Sequence, residues 1–309
     1  MSLRSASPHE LFDAASKGDR GALARTLSLL ERGGDAAREL GRLAYPKSGS
    51  AYTVGITGAP GAGKSTLTSA TIKHIRSQSI EVAVLAIDPS SPFTGGAILG
   101  DRVRMQDHAL DAGVFIRSMA TRGHLGGLSL ATPEAIRLLD AVGKKWILVE
   151  TVGVGQVEVE IAGKADTTVV VVNPGWGDSV QANKAGLMEI ADIFVINKSD
   201  RKGADETRRD LEQMLDLSDL SSDDWRPPVL ATVGTSGEGV PALWDEVIRH
   251  RQFIDASGEL GRRRDFRLRE ELREIVLTGE RWDAIQKSVL ERHTDPWSAA
   301  DQMLRGVGA

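Results

Sequence analysis

Residues 52–75 read YTVGITGAPGAGKSTLTSATIKHI. The run opens as a short apolar strand pattern, passes through a glycine-rich turn and becomes a helical stretch. The turn, Gly58-Ala59-Pro60-Gly61-Ala62-Gly63-Lys64-Ser65, satisfies G-x-x-x-x-G-K-[ST] in full. The pattern has a mechanism. Its glycines let the backbone wrap so that successive N–H groups face one point, and the helix that follows adds the positive end of its dipole there. With a strand on one side and a helix on the other, the segment reads as a phosphate cradle, a P-loop. Lys64 would neutralise the β and γ phosphates, and Ser65 would offer its hydroxyl to Mg²⁺. Thr66 would give its backbone or hydroxyl to a phosphate.

Outward from this segment, apolar runs alternate with helical stretches. EVAVLAI (81–87), GVFIRS (113–118), KWILVE (145–150), TTVVVVN (167–173), DIFVIN (192–197) and PVLAT (228–232) join YTVGIT (52–57) as strand candidates. Several are apolar at consecutive positions, as strands of a parallel sheet covered on both faces must be, and the intervals suit βαβ crossovers. The expected class is α/β: a P-loop NTPase with a mostly parallel sheet covered by helices, and with helical N- and C-terminal extensions. We expect a helical N-terminal extension at 1–47, a nucleotide domain at 48–255 and a helical C-terminal region at 256–309. In the first, Ser7-Pro8-His9-Glu10 is a capping-box start, and Leu11, Ala14, Ala15, Leu23, Leu27 and Leu30 predict one amphipathic helix that Gly33-Gly34 stops. A second short helix follows to about Leu43. After Gln252 the chain is charged helix with no strand candidate.

Composition sets bounds. The 309 residues are 41% hydrophobic and 26% charged, which suits an ordinary globular chain with a real core. A net charge of -5 gives no general attraction to polyanions, so no nucleic-acid partner is expected. The absence of cysteine excludes disulfides, thiol catalysis and thiolate metal sites. No apolar run has the length of a membrane span, and the first residues carry no secretory h-region, so the chain reads as cytoplasmic and not membrane-bound.

A second motif names the base. Asn197-Lys198-Ser199-Asp200 follows the strand DIFVIN and matches N-K-x-D. A carboxylate at Asp200 can accept from guanine N1–H and the exocyclic amine; adenine has no N1–H and would leave that charge unpaired. Asn197 would tether neighbouring loops, and the Lys198 stem would lie along the base. The loop Val233-Gly234-Thr235, after PVLAT, would supply a further backbone contact. Magnesium beside phosphates takes oxygen ligands from acids at neighbouring strand ends. Asp88 ends one strand and Glu150 another, although either could be a turn or cap residue. Asp101, inside GGAILGDRVRM, fits a metal ligand and a helix N-cap equally well. Glu150-Thr151-Val152-Gly153 stands where most GTPases carry D-x-x-G; Gly153 N–H could sense the γ-phosphate. Gln156 lies too far past that glycine to be assigned the attacking water.

These residues sit within longer blocks: GITGAPGAGKST (55–66), DPSSPFTGGAILGDRVRM (88–105), TRGHLGGLS (121–129), ILVETVGVGQ (147–156), GDSVQANKAG (177–186) and NKSD (197–200), with DPWSAADQML near the end. In order and content they resemble the methylmalonyl-CoA mutase-associated GTPases, a family once described as lysine/arginine/ornithine transport ATPases. The resemblance implies an Mg²⁺-dependent hydrolase taking GTP to GDP, in the branch that includes the signal-recognition-particle and nickel-insertion GTPases. It implies a homodimer, acting as a G-protein chaperone that gates cofactor loading and protects an adenosylcobalamin-dependent acyl-CoA mutase. Carried over by position, it makes Asp88, Asp101 and Glu150 the acidic set around the metal. It also makes Asp178 and Lys184 part of a switch through which the mutase stimulates hydrolysis. No D-x-H-x-x-G sequence is present, so the cobalamin domain is expected on another chain. The competing readings are a nickel-insertion metallochaperone and a transport-associated ATPase or kinase.

Overall fold

The computed structural model describes residues 6–88, 106–108, 110–120, 131–151, 164–175, 189–217, 221, 223–277, 280–291, 293–295 and 298. Among them are seven strands: β1 Tyr52–Gly58, β2 Val82–Asp88, β3 Val114–Ala120, β4 Trp146–Thr151, β5 Thr167–Val172, β6 Ile193–Asn197 and β7 Val229–Thr232. They form one sheet in the order β3-β2-β4-β1-β5-β6-β7, and every pairing is parallel. All seven expected strands are present. The central strand is β1, and the chain passes to one side of it for β2 to β4 and to the other for β5 to β7. That reversal opens a crevice at the C-terminal end of β1, the usual ligand position in such sheets.

The helices are α1 Pro8–Ser16, α2 Arg20–Arg32, α3 Gly34–Ala44, α4 Lys64–Ser77, α5 Ala131–Ala141, α6 Ala204–Asp216, α7 Val240–Ala256, α8 Glu259–Leu277 and α9 Glu280–Leu290. The start of α1 is the capping box the sequence announces: the Ser7 hydroxyl accepts from Glu10 N–H, and the Glu10 carboxylate accepts from Ser7 N–H at 2.8 Å. The single helix expected up to Arg32 is two. Gly18, at φ +93°, ends α1, and the Asp19 carboxylate starts α2 by accepting from Ala22 N–H at 2.9 Å. Both helices bury their apolar residues in one core, so the periodicity alone concealed the break.

Why strands with consecutive apolar residues are needed is visible in the packing. Ala83, Leu85, Ile87, Ile147 and Val149 face a core shared with α1, α2, α3 and α5. Their alternates, Val82, Val84, Ala86 and Leu148, join Val54, Ile56, Val169, Val171 and Val195 under α4 and α7. On β5 to β7, Val170, Val172, Phe194 and Ile196 pack with Leu211 and Leu215 of α6. The N-terminal helices therefore cover the β2–β4 half of one face. Polar ties reinforce them: Arg20 donates to the carbonyls of Asp111, Ala112 and Val114, and Arg117 pairs with Glu31.

Contacts divide the chain into two compact units, Met1–Leu260 and Gly261–Ala309. In the second, Phe266, Leu268, Leu272 and Ile275 of α8 and Leu290 of α9 are exposed. Among the described residues no helix is long and apolar enough to cross a membrane.

Leu27 of α2 has no exposed surface. Leu27→Ala is expected to lower the unfolding free energy by about 2–5 kcal/mol, the cost of an unfilled core cavity, in a urea titration. A loss below about 0.5 kcal/mol, the level of an ordinary surface change, would show that these helices are not part of the working core.

Candidate functional site

The cradle is made by the close of β1 and the opening of α4. At its first residue, Gly58, φ is +130°, and a Cβ there would lie 2.0 Å from the Val171 carbonyl oxygen of β5. No larger residue fits so near the neighbouring strand. At Gly63 φ is +91°, and a Cβ would lie 2.5 Å from Asn197 Nδ2. The loop then enters α4 directly, with Lys64 and Ser65 buried in its first turn. Lys64 Nζ donates to the carbonyls of Gly58, at 2.5 Å, and Ala59, at 3.1 Å, which lays the ammonium across the cradle. The helix adds its N-terminal partial positive charge at the same place.

Asn197, the last residue of β6, is buried and works in two directions. Its Nδ2 donates to the Ala62 carbonyl at 2.8 Å and to that of Gly63 at 3.4 Å. Its Oδ1 accepts from Gly234 N–H at 3.0 Å and from the Thr232 hydroxyl at 3.2 Å. One carboxamide thus joins the cradle, the end of β6 and the loop after β7. Lys198, in the left-handed region at φ +59°, reaches back and donates to the Gly61 carbonyl at 2.6 Å. Asp200 stands exposed beyond it, and Thr235 is likewise exposed, while Gly234 is buried. The 233–238 loop is closed by Val233 N–H to the Glu238 carbonyl at 3.0 Å and Gly237 N–H to the Val233 carbonyl at 2.9 Å.

Glu150 is completely buried near the end of β4, in register with Ile56 of β1 and Ala86 of β2. The next residue, Thr151, donates its hydroxyl to that of Thr57 at 3.2 Å. Asp88 ends β2 opposite Ala120 of β3; its side chain lies outside the described residues. So do Asp101, Gly153, Gln156, Asp178 and Lys184. Of the expected site residues, Lys64, Ser65, Glu150, Asn197, Lys198 and Gly234 are gathered at the C-terminal edge of the central strands.

Ser199, which the motif leaves variable, proves structural: its N–H and its hydroxyl both donate to the Thr232 carbonyl, each at 3.1 Å. No spacing rule would have found it, because its partner is a backbone oxygen on another strand.

This edge sets the Lys64 ammonium and the N-terminus of α4 at one end against the tethered loop bearing Asp200 at the other, an arrangement suited to a nucleotide. Comparison with known proteins agrees. Residues 23–288 match the family described as Methylmalonyl Co-A mutase-associated GTPase MeaB. The chain belongs to the MeaB GTPase family. A putative GTPase of Pyrococcus abyssi is 53% identical over 311 residues, covering 96% of each chain. The Mus musculus protein named methylmalonic aciduria type A homolog, mitochondrial, is 35% identical over 95% of this chain and 72% of its own. A crystal structure of a LAO/AO transport system kinase superposes with a TM-score of 0.72 at 26% identity, over 99% of both chains. As a MeaB-family GTPase the chain binds and hydrolyses GTP. The cross-tie at Asn197 gives that statement a local test. Asn197→Ala leaves the Gly234 N–H and two loop carbonyls without their partner. It is expected to weaken GDP binding by about 1–3 kcal/mol, roughly 5- to 150-fold, in a fluorescent-nucleotide titration. Affinity within about twofold of wild type would mean the tether does not shape the site.

Proposed function

We propose that this MeaB-family GTPase is a Mg²⁺-dependent G-protein chaperone of an adenosylcobalamin-dependent acyl-CoA mutase, methylmalonyl-CoA mutase or a close relative. The observation that carries the reading is the family match itself, whose description names a GTPase associated with methylmalonyl-CoA mutase. It covers most of the chain and is joined by a mouse relative named for methylmalonic aciduria. The chain would work in the cytoplasm as a homodimer. In support of the dimer, Leu268, Leu272 and Ile275 recur at helical spacing on α8 and are exposed.

At the site, the P-loop amides from Gly58 to Ser65, with Thr66, would hold the phosphates, and Lys64 would place its charge on them. Asp200 would read guanine, with Asn197, Lys198 and the 233–235 loop holding the base. The donors present fit a hard divalent cation. A serine hydroxyl and a buried carboxylate are oxygen ligands, the kind Mg²⁺ takes alongside phosphate oxygens and water. Ser65 and Glu150, with Asp88 and Asp101, would hold it; when bound, it neutralises charge on the transferred phosphoryl group. Catalysis is then mainly electrostatic. Lys64 and the loop N–H groups stabilise negative charge that grows on the phosphoryl oxygens, Gly153 N–H senses the γ-phosphate, and intrinsic turnover is slow. Asp178 and Lys184 form the switch on which the mutase acts. A transport-associated kinase, the description carried by the superposed crystal structure, is the second reading; it requires ATP as the better substrate.

Three outcomes are expected. Asp200→Asn loses GTP and gains xanthosine triphosphate, because an amide can donate to the extra carbonyl oxygen of xanthine; unchanged GTP affinity overturns the base assignment. Ser65→Ala loses at least about tenfold in kcat/KM, with the residual rate no longer responding to Mg²⁺ concentration. A cobalamin-dependent acyl-CoA mutase raises the GTPase rate of the wild-type protein, and Lys184→Ala blunts the rise while GDP affinity is kept. Absence of stimulation across several such mutases would assign the protein another partner.

A further inference from the structure

The far edge of the sheet holds a buried polar chain that the phosphate and base contacts do not use. His250, on α7, has no exposed surface. Its Nδ1 lies 2.8 Å from the Thr167 hydroxyl, which lies 2.6 Å from the hydroxyl of Tyr52. Burial pushes the Tyr52 phenol above its usual range, so it stays a donor at neutral pH. Tyr52, Thr167 and His250 Nδ1 thus form a continuous line of polar contacts, and the other ring nitrogen, Nε2, faces Asp192. That nitrogen is 3.2 Å from Asp192 Oδ1, in a contact that falls short of hydrogen-bond geometry. Asp192 itself is firmly held. Its Oδ2 accepts from Thr168 N–H at 2.7 Å, and its carbonyl accepts from Trp225 Nε1 at 2.7 Å. The Trp225 ring in turn meets His250 edge-on, with centroids 4.8 Å apart.

Tyr52 and Thr167 belong to β1 and β5, and the three other elements that meet at this node carry the proposed base loops. Asp192 is the residue before β6, which ends at Asn197. Trp225 leads into β7, which ends at Thr232. From the 233–239 loop the chain enters α7 at Val240. Strands and helices are stiff along their axes, so a position set at one end is delivered at the other. For β6 the distance is about 17 Å, and from His250 back to Val240 it is about 15 Å. The β6–β7 ladder fixes those two strands against each other. Along α7, side chains such as Val240, Leu243, Val247 and Ile254 are apolar, whereas His250 is held by polar groups, the Thr167 hydroxyl at 2.8 Å and the Asp192 carboxylate at 3.2 Å.

We propose that Asp192 and His250 act as a remote positioning clamp for guanine recognition. The clamp sets the height of α7 against β6, and through it the placement of Gly234 and Thr235 beside Asn197 and Asp200. It rests on the assignment of those residues to the base. His250 touches no nucleotide, so it is a positioning residue.

The test uses the full-length protein with GTP and with inosine triphosphate, which lacks the exocyclic amine. His250→Leu is expected to raise KM for GTP about tenfold, in the range that substitutions remote from a ligand produce, with kcat within about twofold. Its preference for GTP over inosine triphosphate falls. His250→Gln, whose amide can pair with the Thr167 hydroxyl and present a donor toward Asp192, restores both. Unchanged KM and preference in a natively folded His250→Leu overturns the clamp, and so does an equal loss for the two nucleotides, which signals only general destabilisation. Where His250→Leu does not fold, Thr167→Val removes the Nδ1 partner at nearly constant shape and is read against the same criteria. Asp200→Asn run in parallel separates the two ideas: if it keeps its GTP preference, the base assignment has failed independently of the clamp.

Discussion

The carboxamide of Asn197 is the interaction on which the nucleotide site depends. It must give two hydrogen bonds to cradle carbonyls and take two from the other side, from Gly234 N–H and the Thr232 hydroxyl. Aspartate cannot donate and leucine can do neither, so among side chains of this length the amide alone serves both directions. Because the group is buried, leaving any partner unmet would cost a full desolvation penalty. The glycine-rich turn, the end of β6 and the loop after β7 are thereby tied together. The Lys198 bond to Gly61 and the paired Ser199 bonds to Thr232 repeat the same tie at its flanks.

Around that tie the sheet acts as a rigid frame with two different edges. At the C-terminal edge, β1, β6 and β7 release the glycine-rich turn, the 198–203 loop and the 233–239 loop. At the N-terminal edge the same groups are closed off by carboxylates. Asp140 accepts from the N–H groups of Gly49, Ser50 and Ala51, Asp166 accepts from that of Thr53, and Asp192 from that of Thr168. A parallel sheet must satisfy these donors somewhere, and short acids, Asp140 near the end of α5 and Asp166 and Asp192 just before β5 and β6, do so without adding bulk. Three cation–ring contacts seal this region: Arg251 lies over Tyr52 and Trp146, and Arg249 over Trp225.

The relation to mutase chaperones is of a different kind from the relation to GTP. GTP hydrolysis is common to the family that the chain matches. Under the proposed reading, the choice of protein partner would fall to blocks such as GDSVQANKAG rather than to the nucleotide loops. A fold of this type therefore supports the common chemistry strongly and leaves partner choice to particular side chains.

Sequence alone determined the seven strands, the glycine-rich turn between β1 and α4 and the place of N-K-x-D at the end of β6, because each is encoded by neighbours: runs of apolar residues, glycines at fixed offsets, an amide and an acid three residues apart. It also placed the capping box at Ser7 to the residue. It did not show the break at Gly18, since α1 and α2 turn their apolar faces into one core and keep a common rhythm. Nor did it show Ser199 as an anchor or His250 as part of a buried chain. Those roles exist only once residues far apart in the chain meet, such as Asn197 with Ala62, 135 positions away, or His250 with Thr167, 83 positions away. Local steric and dipolar preferences act within a few residues and can be read directly; directional hydrogen bonds in a desolvated interior are decided by tertiary packing, which alone brings donor and acceptor together.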